Sequence, residues 1–566
     1  MARSVSTGGS NDLGDVLVSG AFITEAELKS AQETAASSNR KLTDILLEQG
    51  LVDTEVLSSI ISLRYGVPIV NLNEVEIQPA AVALVPENVA RDKLVLPISL
   101  EDDTLTVATD DPQDLDLVNV LTKVTRKKID LVLAVGMKVC EAIDQQYKLT
   151  SQIQDQISQI TKESLSKGQP EMTGLESAKH APIIQALEMM LTQAVRDRAS
   201  DIHIEPQEDR LLVRNRIDGV LQEAVTLPLG AHSAIMTRIK VLSNMNIAER
   251  RRPQDGQFSI TVGNKQIDFR VATIECDWGE MAVLRVLDKS MLAIKLEELG
   301  MSPNVLVPFR KLLRMPFGMI LVCGPTGSGK TTTLYSALQE LDAQSRNLMT
   351  IEDPIEYRFK GINQIQVNRQ AGITFAVGLK TIMRLDPDII LVGEIRDHET
   401  ASTAVQAAIT GHLVLSTIHA NDSVSAMIRL IDMGIEPFLV TSAVIGTLSQ
   451  RLVRKVCPYC RVEAEIPPPD AVAYQTIMKE SKTKFMVGKG CNFCSRSGYM
   501  GRLGAFELLT VSDELRKMVM KGMSASELKE RAMNEGMIPM TVDGMQKAKD
   551  GLTVPGEVLR NVFTVT

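Results

Sequence analysis

The fold of this chain is decided by the stretch Gly324-Pro325-Thr326-Gly327-Ser328-Gly329-Lys330-Thr331, which matches the phosphate-loop pattern G-x-x-x-x-G-K-[ST] at every position. The apolar run 319–323 predicts a buried parallel strand before it, and the residues from Thr331 onward predict a helix. Backbone N–H groups of such a loop surround a polyphosphate, and the N-terminus of the helix favours anions. We expect Lys330 to reach the outer phosphates and the Thr331 hydroxyl to bind Mg²⁺, so the sequence predicts a nucleoside triphosphate site.

Length and composition limit the classes of protein to which this chain can belong. At 566 residues the chain exceeds the roughly 250–300 residues at which single cores stop growing, so several domains are expected. A net charge of −9 gives no sign of a concentrated basic face, which argues against a nucleic-acid partner. The first ten residues lack the apolar segment of a signal peptide, and no apolar run approaches the ~18 residues that span a bilayer. We therefore expect a cytoplasmic protein that associates with a membrane only through partners.

Shifts in sequence pattern define the N-terminal domains. A weak repeat of two short helical units over 11–65 marks residues 1–70, and Thr24-Glu25-Ala26-Glu27 within it predicts a capping box. Residues 71–149 predict a small α+β domain. Its predicted strands lie at 95–98, 104–108 and 129–133. Residues 150–178 are rich in Ser, Gln, Lys and Glu and are predicted to be a linker.

The rest of the chain predicts a multidomain α/β protein. A second α+β domain is predicted over 179–290, and a mononucleotide-binding α/β domain over 291–450. An insert with cysteines over 451–504 and a helical region over 505–566 complete the chain.

Two predicted strands end in acids. Residues 388–394 predict an apolar strand beside that of the phosphate loop, and Glu394 is the candidate base because Gly393 stands where an Asp is usual. Pro354 cannot continue a central strand, which places Glu352 at the carboxyl edge of the sheet. We interpret Glu352 as positioning metal or water; the alternative is a solvated acidic turn.

Two of only six histidines flank one apolar strand. His412 and His419 differ by an odd number of positions, so on a regular strand they face opposite sides and do not predict a zinc pair. A sensor of the terminal phosphate at one strand end suits this spacing. A core or capping histidine remains the alternative.

Seven cysteines predict thiols or a metal site in place of disulfides. Four of them form two C-x-x-C pairs, Cys457 with Cys460 and Cys491 with Cys494, which suit tetrahedral Zn²⁺ although the interval between the pairs is longer than usual. A redox dithiol would explain one pair but not two. The remaining three are predicted to be core residues: Cys140, Cys276 and Cys323.

Arginines cluster before the nucleotide domain, at positions 214, 216, 238, 250, 251 and 252. They form either an exposed basic face or a set that reaches the phosphates of a neighbouring subunit, as arginine fingers do. The sequence leaves both open.

Together these motifs resemble the secretion ATPases of type II secretion and type IV pilus assembly, the GspE/PilB group, over nearly the whole chain. The matching segments are the phosphate loop at 324–331, an Asp box at 351–356, an atypical Walker B at 386–397, a His box at 410–421, and signatures at 200–206 and 252–256. The resemblance implies a RecA-like ATPase domain preceded by a PAS-like α+β domain and an N-terminal region of the MshEN type.

The resemblance also implies a site. ATP·Mg²⁺ would be bound by Gly324, Pro325, Thr326, Gly327, Ser328, Gly329, Lys330, Thr331 and Thr332. The other implied residues are Glu394 to activate water, Glu352 to support the metal, His412 and His419 to sense phosphate, and Arg238 and Arg251 near the nucleotide. The enzyme would be a hexamer with its active sites at subunit interfaces.

The resemblance further implies an assembly motor, because pilus retraction ATPases lack the four-cysteine insert and the long N-terminal region. Hydrolysis would rotate an inner-membrane platform protein, with a cytoplasmic adaptor as a further partner. Type II secretion with the same mechanism is the alternative, and a nucleotide-gated scaffold with little turnover is another.

The repeat at 11–65 is similar to the domain that binds cyclic di-GMP in some members, where each copy begins Arg-Leu-Gly. Here the copies begin Asp12-Leu13-Gly14 and Lys41-Leu42-Thr43, and Ala21 replaces a glycine that the second copy keeps as Gly50. Loss of the arginine removes a bidentate contact, so we expect the fold without tight binding of cyclic di-GMP.

Overall fold

In the computed structural model of the chain, the described residues are scattered positions between 17 and 62, most of 67–147, and 181–262, 265–288, 294–491 and 494–562. They belong to two compact units, one built on residues 1–148 and 490–496 and the other on 149–489 and 497–566. The predicted linker at 150–178 and the residues that bear on cyclic di-GMP lie outside the described part. None of the described helices is both long and apolar enough to cross a membrane.

The described part of the first unit contains five helices and a four-stranded mixed sheet. Its elements are α1 (Glu25–Ser38), β1 (Ile69–Asn71), α2 (Pro79–Val82), α3 (Glu87–Lys93), β2 (Val95–Glu101), β3 (Thr104–Thr109), α4 (Leu115–Thr125), β4 (Lys128–Val135) and α5 (Val139–Gln146). The predicted capping box is confirmed, since the Glu27 N–H donates to Thr24 and the Thr24 N–H donates to Glu27. The three predicted strands are confirmed as β2, β3 and β4.

The strand order of this sheet is β1-β4-β3-β2, with β1 and β3 parallel to β4 and β2 antiparallel to β3. The sequence analysis missed β1. It has three residues, too few for a periodic signal, and it depends on pairing with β4, where Ile69 lies opposite Leu133.

The described part of the second unit begins with two helices and an antiparallel sheet. Its elements are α6 (Ala181–Arg196), β5 (Ala199–Pro206), β6 (Arg210–Ile217), β7 (Val220–Pro228), a 3₁₀ turn (Leu229–Ala231), α7 (His232–Leu242), β8 (Gln254–Val262), β9 (Lys265–Cys276) and β10 (Gly279–Asp288). The strand order is β7-β6-β5-β10-β9-β8. Both helices share one apolar cluster with the sheet, in which Leu187, Ile235 and Phe269 are buried.

A seven-stranded sheet forms the centre of the nucleotide domain. The elements up to its sixth strand are a 3₁₀ turn (Leu296–Leu299), α8 (Pro303–Leu313), β11 (Gly318–Cys323), α9 (Lys330–Glu340), β12 (Leu348–Glu352), β13 (Asn363–Gln366), α10 (Phe375–Ile382), β14 (Ile389–Ile395), α11 (His398–Ile409), β15 (Leu413–Ile418), α12 (Ser423–Asp432), α13 (Pro437–Ala443) and β16 (Val444–Val456). The elements that follow are β17 (Arg461–Glu465), α14 (Pro468–Met478), β18 (Lys484–Gly488), β19 (Tyr499–Thr510), α15 (Asp513–Met520), α16 (Ala525–Asn534), α17 (Met540–Lys549) and α18 (Pro555–Val562).

The order of this sheet is β13-β12-β14-β15-β11-β16-β19, and only β19 is antiparallel to its neighbour. Successive side chains of β11 point to opposite faces, so Met319 and Leu321 join one apolar cluster while Ile320 and Val322 join the other. Helices cover both faces of the sheet, so the side chains on both sides of β11 are buried. The sequence of β11 is therefore a continuous apolar run. The prediction of an α/β nucleotide domain is confirmed.

One prediction about this sheet is wrong. The strand that carries Glu394, β14, does not lie beside β11, because β15 pairs with both and separates them. An apolar run that ends in an acid predicts a strand at the correct place in the sequence, but it carries no information on which strand is the neighbour.

The cysteine-bearing insert connects two strands of the sheet, β16 and β19, that pair with each other. The predicted boundaries at 450 and 504 fall inside β16 and β19, which pair with each other from Gly446 opposite Thr510 to Val456 opposite Tyr499. The segment between them holds the two-stranded sheet of β17 and β18 together with α14.

A buried carboxylate on β19 ties the starts of α12 and α17 to the sheet. Glu507 is 1% exposed, and it accepts hydrogen bonds from the backbone N–H groups of Ser423 (3.1 Å) and Met540 (3.2 Å), the first residues of α12 and α17. Both helix starts therefore depend on one side chain of the central sheet.

We expect Glu507→Ala to destabilise the nucleotide domain by about 3 kcal/mol, because hydrogen bonds to a charged group contribute roughly 1.5–3 kcal/mol each. Thermal unfolding should show a midpoint lowered by about 6–12 °C for a domain of this size. The matched control is Glu514→Ala on the exposed first turn of α15, for which we expect a change within about 0.5 kcal/mol. Equal midpoints for the two variants would contradict this account.

Candidate active site

The candidate active site lies where parallel strands end together. The phosphate loop follows β11, Glu352 is the last residue of β12, Glu394 lies at the end of β14, and His419 follows β15. Because these strands are parallel, their carboxyl ends meet at one edge, which is where open α/β sheets bind ligands.

The phosphate loop has the backbone geometry that its glycines predict. Gly324, Gly327 and Gly329 adopt φ values of 149°, 77° and 88°, which residues with a Cβ rarely adopt. A Cβ at Gly324 would also lie 2.5 Å from the Gln450 carbonyl oxygen, so this position needs glycine for space. Between these glycines the loop residues from 325 to 327 are exposed and can approach a ligand.

Lys330 lies across the loop. Its Nζ donates to the carbonyl oxygens of Gly324 and Pro325, at 2.9 Å each. Burial lowers the pKa of Lys330, while the negative charge of Glu394 opposes that shift. Thr331 is exposed on the first turn of α9, and Thr332 is half-buried beside it. These side chains match the donor set that a phosphate and its metal require.

A residue that the sequence analysis missed supports the loop from behind. Gln450 on β16 is 1% exposed; its Nε2 donates to the Ser328 carbonyl at 2.7 Å, and its Oε1 accepts from the Thr333 hydroxyl at 2.8 Å. It therefore joins the middle of the loop to the first turn of α9. No local pattern could identify Gln450, because more than a hundred residues separate it from the groups it contacts.

Glu394 is held beside the loop by a cation. Its carboxylate lies 2.7 Å from Arg396 Nε and 4.0 Å from His419 Nε2, and its side chain is 17% exposed. Gly393 precedes it where an Asp was expected, and a Cβ at this glycine would lie 3.3 Å from the Glu352 Cα. The close approach of β14 to β12 thus explains the absence of a side chain there.

His419 is brought to the same cluster. Burial and the nearby Lys330 cation lower the pKa of its imidazole below the usual value, while Glu394 opposes the shift. An imidazole with a lowered pKa is neutral at pH 7, so it can donate one hydrogen bond and accept another.

Glu352 has a different environment from the one predicted. It is 4% exposed, one carboxylate oxygen accepts from Thr350 (2.7 Å) and Gln364 (3.1 Å), and the other accepts from the Tyr335 hydroxyl on α9. Three protein donors therefore occupy both oxygens. A direct contact with metal does not fit this placement, and neither does the solvated acidic turn.

His412 is not brought to the cluster. It precedes β15, and its carbonyl accepts from the N–H of Gly318, the first residue of β11, so it lies at the edge of the sheet opposite the phosphate loop. Its Nδ1 lies 2.8 Å from the Ala407 carbonyl at the end of α11. His412 therefore lies away from the phosphate loop of its own chain, and its contact with Ala407 is that of a capping histidine.

A cavity of about 210 Å³ adjoins the phosphate loop. Its wall combines the loop residues 325–328 with the hairpin tip 218–220 between β6 and β7 and with four arginines, Arg451, Arg454, Arg502 and Arg560. Asp218 fixes the tip, since its carboxylate accepts from the Gly501 N–H at 2.8 Å.

Arg451 is the most buried of these arginines. It is 7% exposed, and burial lowers the pKa of its guanidinium. Its Nη2 donates to the Asn421 carbonyl at 3.4 Å, while its Nη1 is buried without a hydrogen-bond partner among the residues that the structure describes. A buried donor of this kind next to a phosphate loop is suited to a ligand.

The two arginines implied by the resemblance lie elsewhere. Arg238 is half-buried on α7, and Arg251 is exposed in the turn after it, with its N–H donating to Glu249 at 2.8 Å. Neither lines the cavity beside the loop. Their positions fit both interpretations from the sequence, an exposed basic face and a contact with another subunit.

The four paired cysteines converge. The Sγ atoms of Cys457, Cys460, Cys491 and Cys494 all lie within 4.8 Å of one another. The two ends of the segment that holds Cys491 and Cys494 approach closely, since a Cβ at Gly488 would lie 2.0 Å from the Gly498 carbonyl oxygen. Four thiols at this spacing suit tetrahedral Zn²⁺. The prediction of core cysteines holds for Cys323, but Cys140 and Cys276 are exposed.

Comparisons with known proteins identify the family. The family model described as "Type II/IV secretion system protein" matches residues 176–560, and the model of the MshEN domain matches residues 65–153, beyond most of the repeat to which the sequence analysis assigned that type. The chain is 39% identical over 563 residues to the type IV pilus assembly ATPase PilB of Myxococcus xanthus (strain DK1622), which covers 98% of this chain and 99% of that protein.

Two further comparisons extend over the nucleotide domain. The type II secretion system protein E of Dickeya dadantii (strain 3937) is 48% identical over 386 residues, covering 68% of this chain and 77% of that protein. The X-ray structure of the ATPase DotB of Legionella pneumophila superposes with a TM-score of 0.50 at 20% identity, covering 66% of this chain and 94% of that chain. That likeness supports the fold alone.

We expect Gln450→Ala to weaken ATP binding roughly tenfold or more, because it removes two buried hydrogen bonds of about 1 kcal/mol each and leaves the Ser328 carbonyl unpaired. Titration calorimetry with a non-hydrolysable ATP analogue would measure the change in Kd. Gln475→Ala on the exposed face of α14 is the control and should bind as the wild type does. An unchanged Kd for Gln450→Ala would show that the loop does not need this support.

Proposed function

The chain belongs to the type II/IV secretion system protein family, and from this premise we propose that it is a hexameric ATPase that powers type IV pilus assembly. The observation that carries the enzymatic part is the placement of Glu394 and His419 beside the phosphate loop, at one edge of the sheet. The preference for the pilus is supported by similarity to PilB of Myxococcus xanthus, which extends over 98% of the chain and thus includes its N-terminal region.

Binding of ATP begins at the loop. Lys330 would exchange the carbonyls of Gly324 and Pro325 for phosphate oxygens, and the N–H groups of the loop would donate to the same phosphates. Thr331 would hold Mg²⁺, which when bound neutralises charge on the transferred phosphoryl group. The cavity beside the loop is smaller than the roughly 300–1,000 Å³ of whole-ligand pockets, so we assign it to the nucleoside part, with Arg451 as a donor.

Glu394 would act as the general base. A water held between this carboxylate and the terminal phosphate attacks the phosphorus, its proton passes to Glu394, and the bond to the ADP oxygen breaks. Arg396 fixes the direction of the carboxylate. The neutral His419 would donate a hydrogen bond to the terminal phosphate. In this scheme Glu352 supports α9 from within the core and does not touch the metal.

The site would be completed by neighbouring subunits. We propose that Arg238 and Arg251 reach the phosphates of an adjacent copy in a hexamer, since neither lines the cavity of its own chain. Hydrolysis would then move one subunit against the next and rotate an inner-membrane platform protein, with a cytoplasmic adaptor as a further partner. Type II secretion is the alternative, supported by the 48% identity to protein E of Dickeya dadantii. Deletion of the gene in its host would separate them by loss of pili or loss of a secreted enzyme.

We expect Glu394→Gln to lower the steady-state rate of phosphate release by about 10²–10⁴-fold, the usual contribution of a general base, with little change in the Kd for ATP. Release of phosphate and binding of a fluorescent ATP analogue would be measured on the same oligomer. The control is Glu399→Gln on the first turn of α11, whose carboxylate faces Lys380 and should leave turnover unchanged. Survival of turnover in Glu394→Gln would refute the assignment of the base.

We also propose a structural Zn²⁺ held by Cys457, Cys460, Cys491 and Cys494, which would close the insert. Metal analysis of the purified chain should find one zinc per subunit, and Cys460→Ser should lose it and lower the thermal stability of the insert. Cys276→Ser, a change at an exposed cysteine outside the cluster, should keep the metal. A wild-type chain purified without zinc would contradict the proposal.

A further inference from the structure

The strand that carries the candidate base contains a bulge. β14 pairs regularly with β15 as far as Val392, and the pairing resumes at Ile395. Two residues of β14, Gly393 and Glu394, therefore lie opposite a single residue of β15, Thr417. An extra residue of this kind is a β-bulge, and bulges are over-represented next to active sites because they turn a side chain in a new direction.

The bulge inverts the alternation of side chains along β14. Before it, Ile390 and Val392 belong to one apolar cluster of the sheet, while the odd-numbered residues beside them belong to the cluster on the other face. On an uninterrupted strand Glu394 would follow Val392 into the first cluster, because side chains alternate with a period of two. Instead Ile395 joins that cluster and is 1% exposed. The bulge thus keeps Glu394 out of the apolar core, where its charge can act on Lys330 of the phosphate loop.

Two hydroxyl groups of β15 hold the bulge from the neighbouring strand. The Thr417 hydroxyl donates to the Gly393 carbonyl at 2.7 Å, and the Ser416 hydroxyl donates to the Val392 carbonyl at 2.8 Å. Both side chains are buried, at 5% and 0% exposure. At a break in the backbone ladder, buried side-chain donors satisfy strand carbonyls and fix the path of the chain. The direction in which Glu394 leaves the sheet therefore depends on these two hydroxyls.

We propose that Ser416 and Thr417 are positioning residues for hydrolysis, whose hydroxyls hold the bulge in β14 and thereby aim Glu394 at the attacking water. Each hydroxyl proton is donated within the sheet, so neither residue acts on the phosphate directly. They affect turnover only through Glu394, and the inference therefore rests on the proposed ATPase function with Glu394 as its base.

The first test removes one hydroxyl and then returns it. Thr417→Val keeps the shape of the side chain but not the donor, and should lower kcat roughly tenfold to hundredfold, as expected when a catalytic group moves by about 1 Å. The Kd for ATP should stay within about threefold of the wild type, because the phosphate loop keeps its own contacts. Thr417→Ser retains the donor and should return kcat to within about fivefold of the wild type. Equal values of kcat for the valine and serine variants would overturn the proposal.

The matched control is a buried threonine of the same sheet. Thr447 on β16 is 0% exposed, and its hydroxyl donates to the Ser423 carbonyl at 2.6 Å. β11 and β15 separate β16 from β14. Thr447→Val therefore removes the same kind of hydrogen bond without touching the bulge, so it should lower the midpoint of thermal unfolding as Thr417→Val does and leave kcat unchanged. An equal loss of kcat in the two variants would indicate general damage to the sheet and refute the positioning role.

A double variant shows whether Thr417 acts through the base. Adding Thr417→Val to Glu394→Gln should slow the remaining turnover by less than about threefold, because both changes interrupt the same step. A threonine that contacted the phosphate itself would slow Glu394→Gln by its full factor and would also weaken the binding of ATP. That result would overturn the proposal.

The outcomes separate this proposal from the proposed function. If the wild type hydrolyses ATP and a folded Thr417→Val keeps its kcat, the positioning role is refuted and the ATPase assignment stands. If the wild-type oligomer releases no phosphate, the proposed function fails first. Thermal unfolding identifies any variant that does not fold. If Thr417→Val is lost in this way, Ser416→Ala decides in its place, with an expected loss of kcat of roughly tenfold, and an unchanged kcat would refute the proposal.

Discussion

Parallel strands in one sheet must end at the same edge, and this constraint places every group of the candidate site. β11, β12, β14 and β15 run in one direction, so the phosphate loop, Glu352, Glu394 and His419 meet although they are distant in the chain. The same constraint puts His412 at the opposite edge, because it precedes its strand whereas His419 follows it. The direction of β15 therefore decides which of the two histidines lies at the edge of the sheet that carries the phosphate loop.

The phosphate loop depends on supports outside its own motif. Gln450 holds it from β16, and Tyr335 holds the same helix from the Asp-box loop. β16 in turn pairs with β19, whose Glu507 anchors the starts of α12 and α17. The C-terminal region is therefore part of the support for the nucleotide site, and the cysteine insert lies between the two strands that provide it.

The sequence was sufficient for features that depend on neighbouring residues. The phosphate loop, the acid at the end of β14 and the paired cysteines each carry their signal within a few positions, and the structure places them as their patterns predict. The sequence alone did not predict the features that depend on tertiary contacts. Its position at a strand end predicted that Glu352 positions metal or water, whereas Tyr335 and Gln364, which donate hydrogen bonds to it, are at positions that no local pattern relates to it. The place of β14 in the sheet and the roles of Gln450 and Arg451 depend on pairings across long stretches of chain.

The central claim is that ATP binds at the phosphate loop and that Glu394 faces its terminal phosphate. A structure of the full-length oligomer with Mg²⁺ and a non-hydrolysable ATP analogue measures this directly. We predict phosphates within the loop 324–331, a water between the terminal phosphate and Glu394, the nucleoside against Arg451, and Glu352 still bound to Tyr335. Phosphates held elsewhere, or a Glu394 carboxylate beyond hydrogen-bond reach of the attacking water, would contradict it.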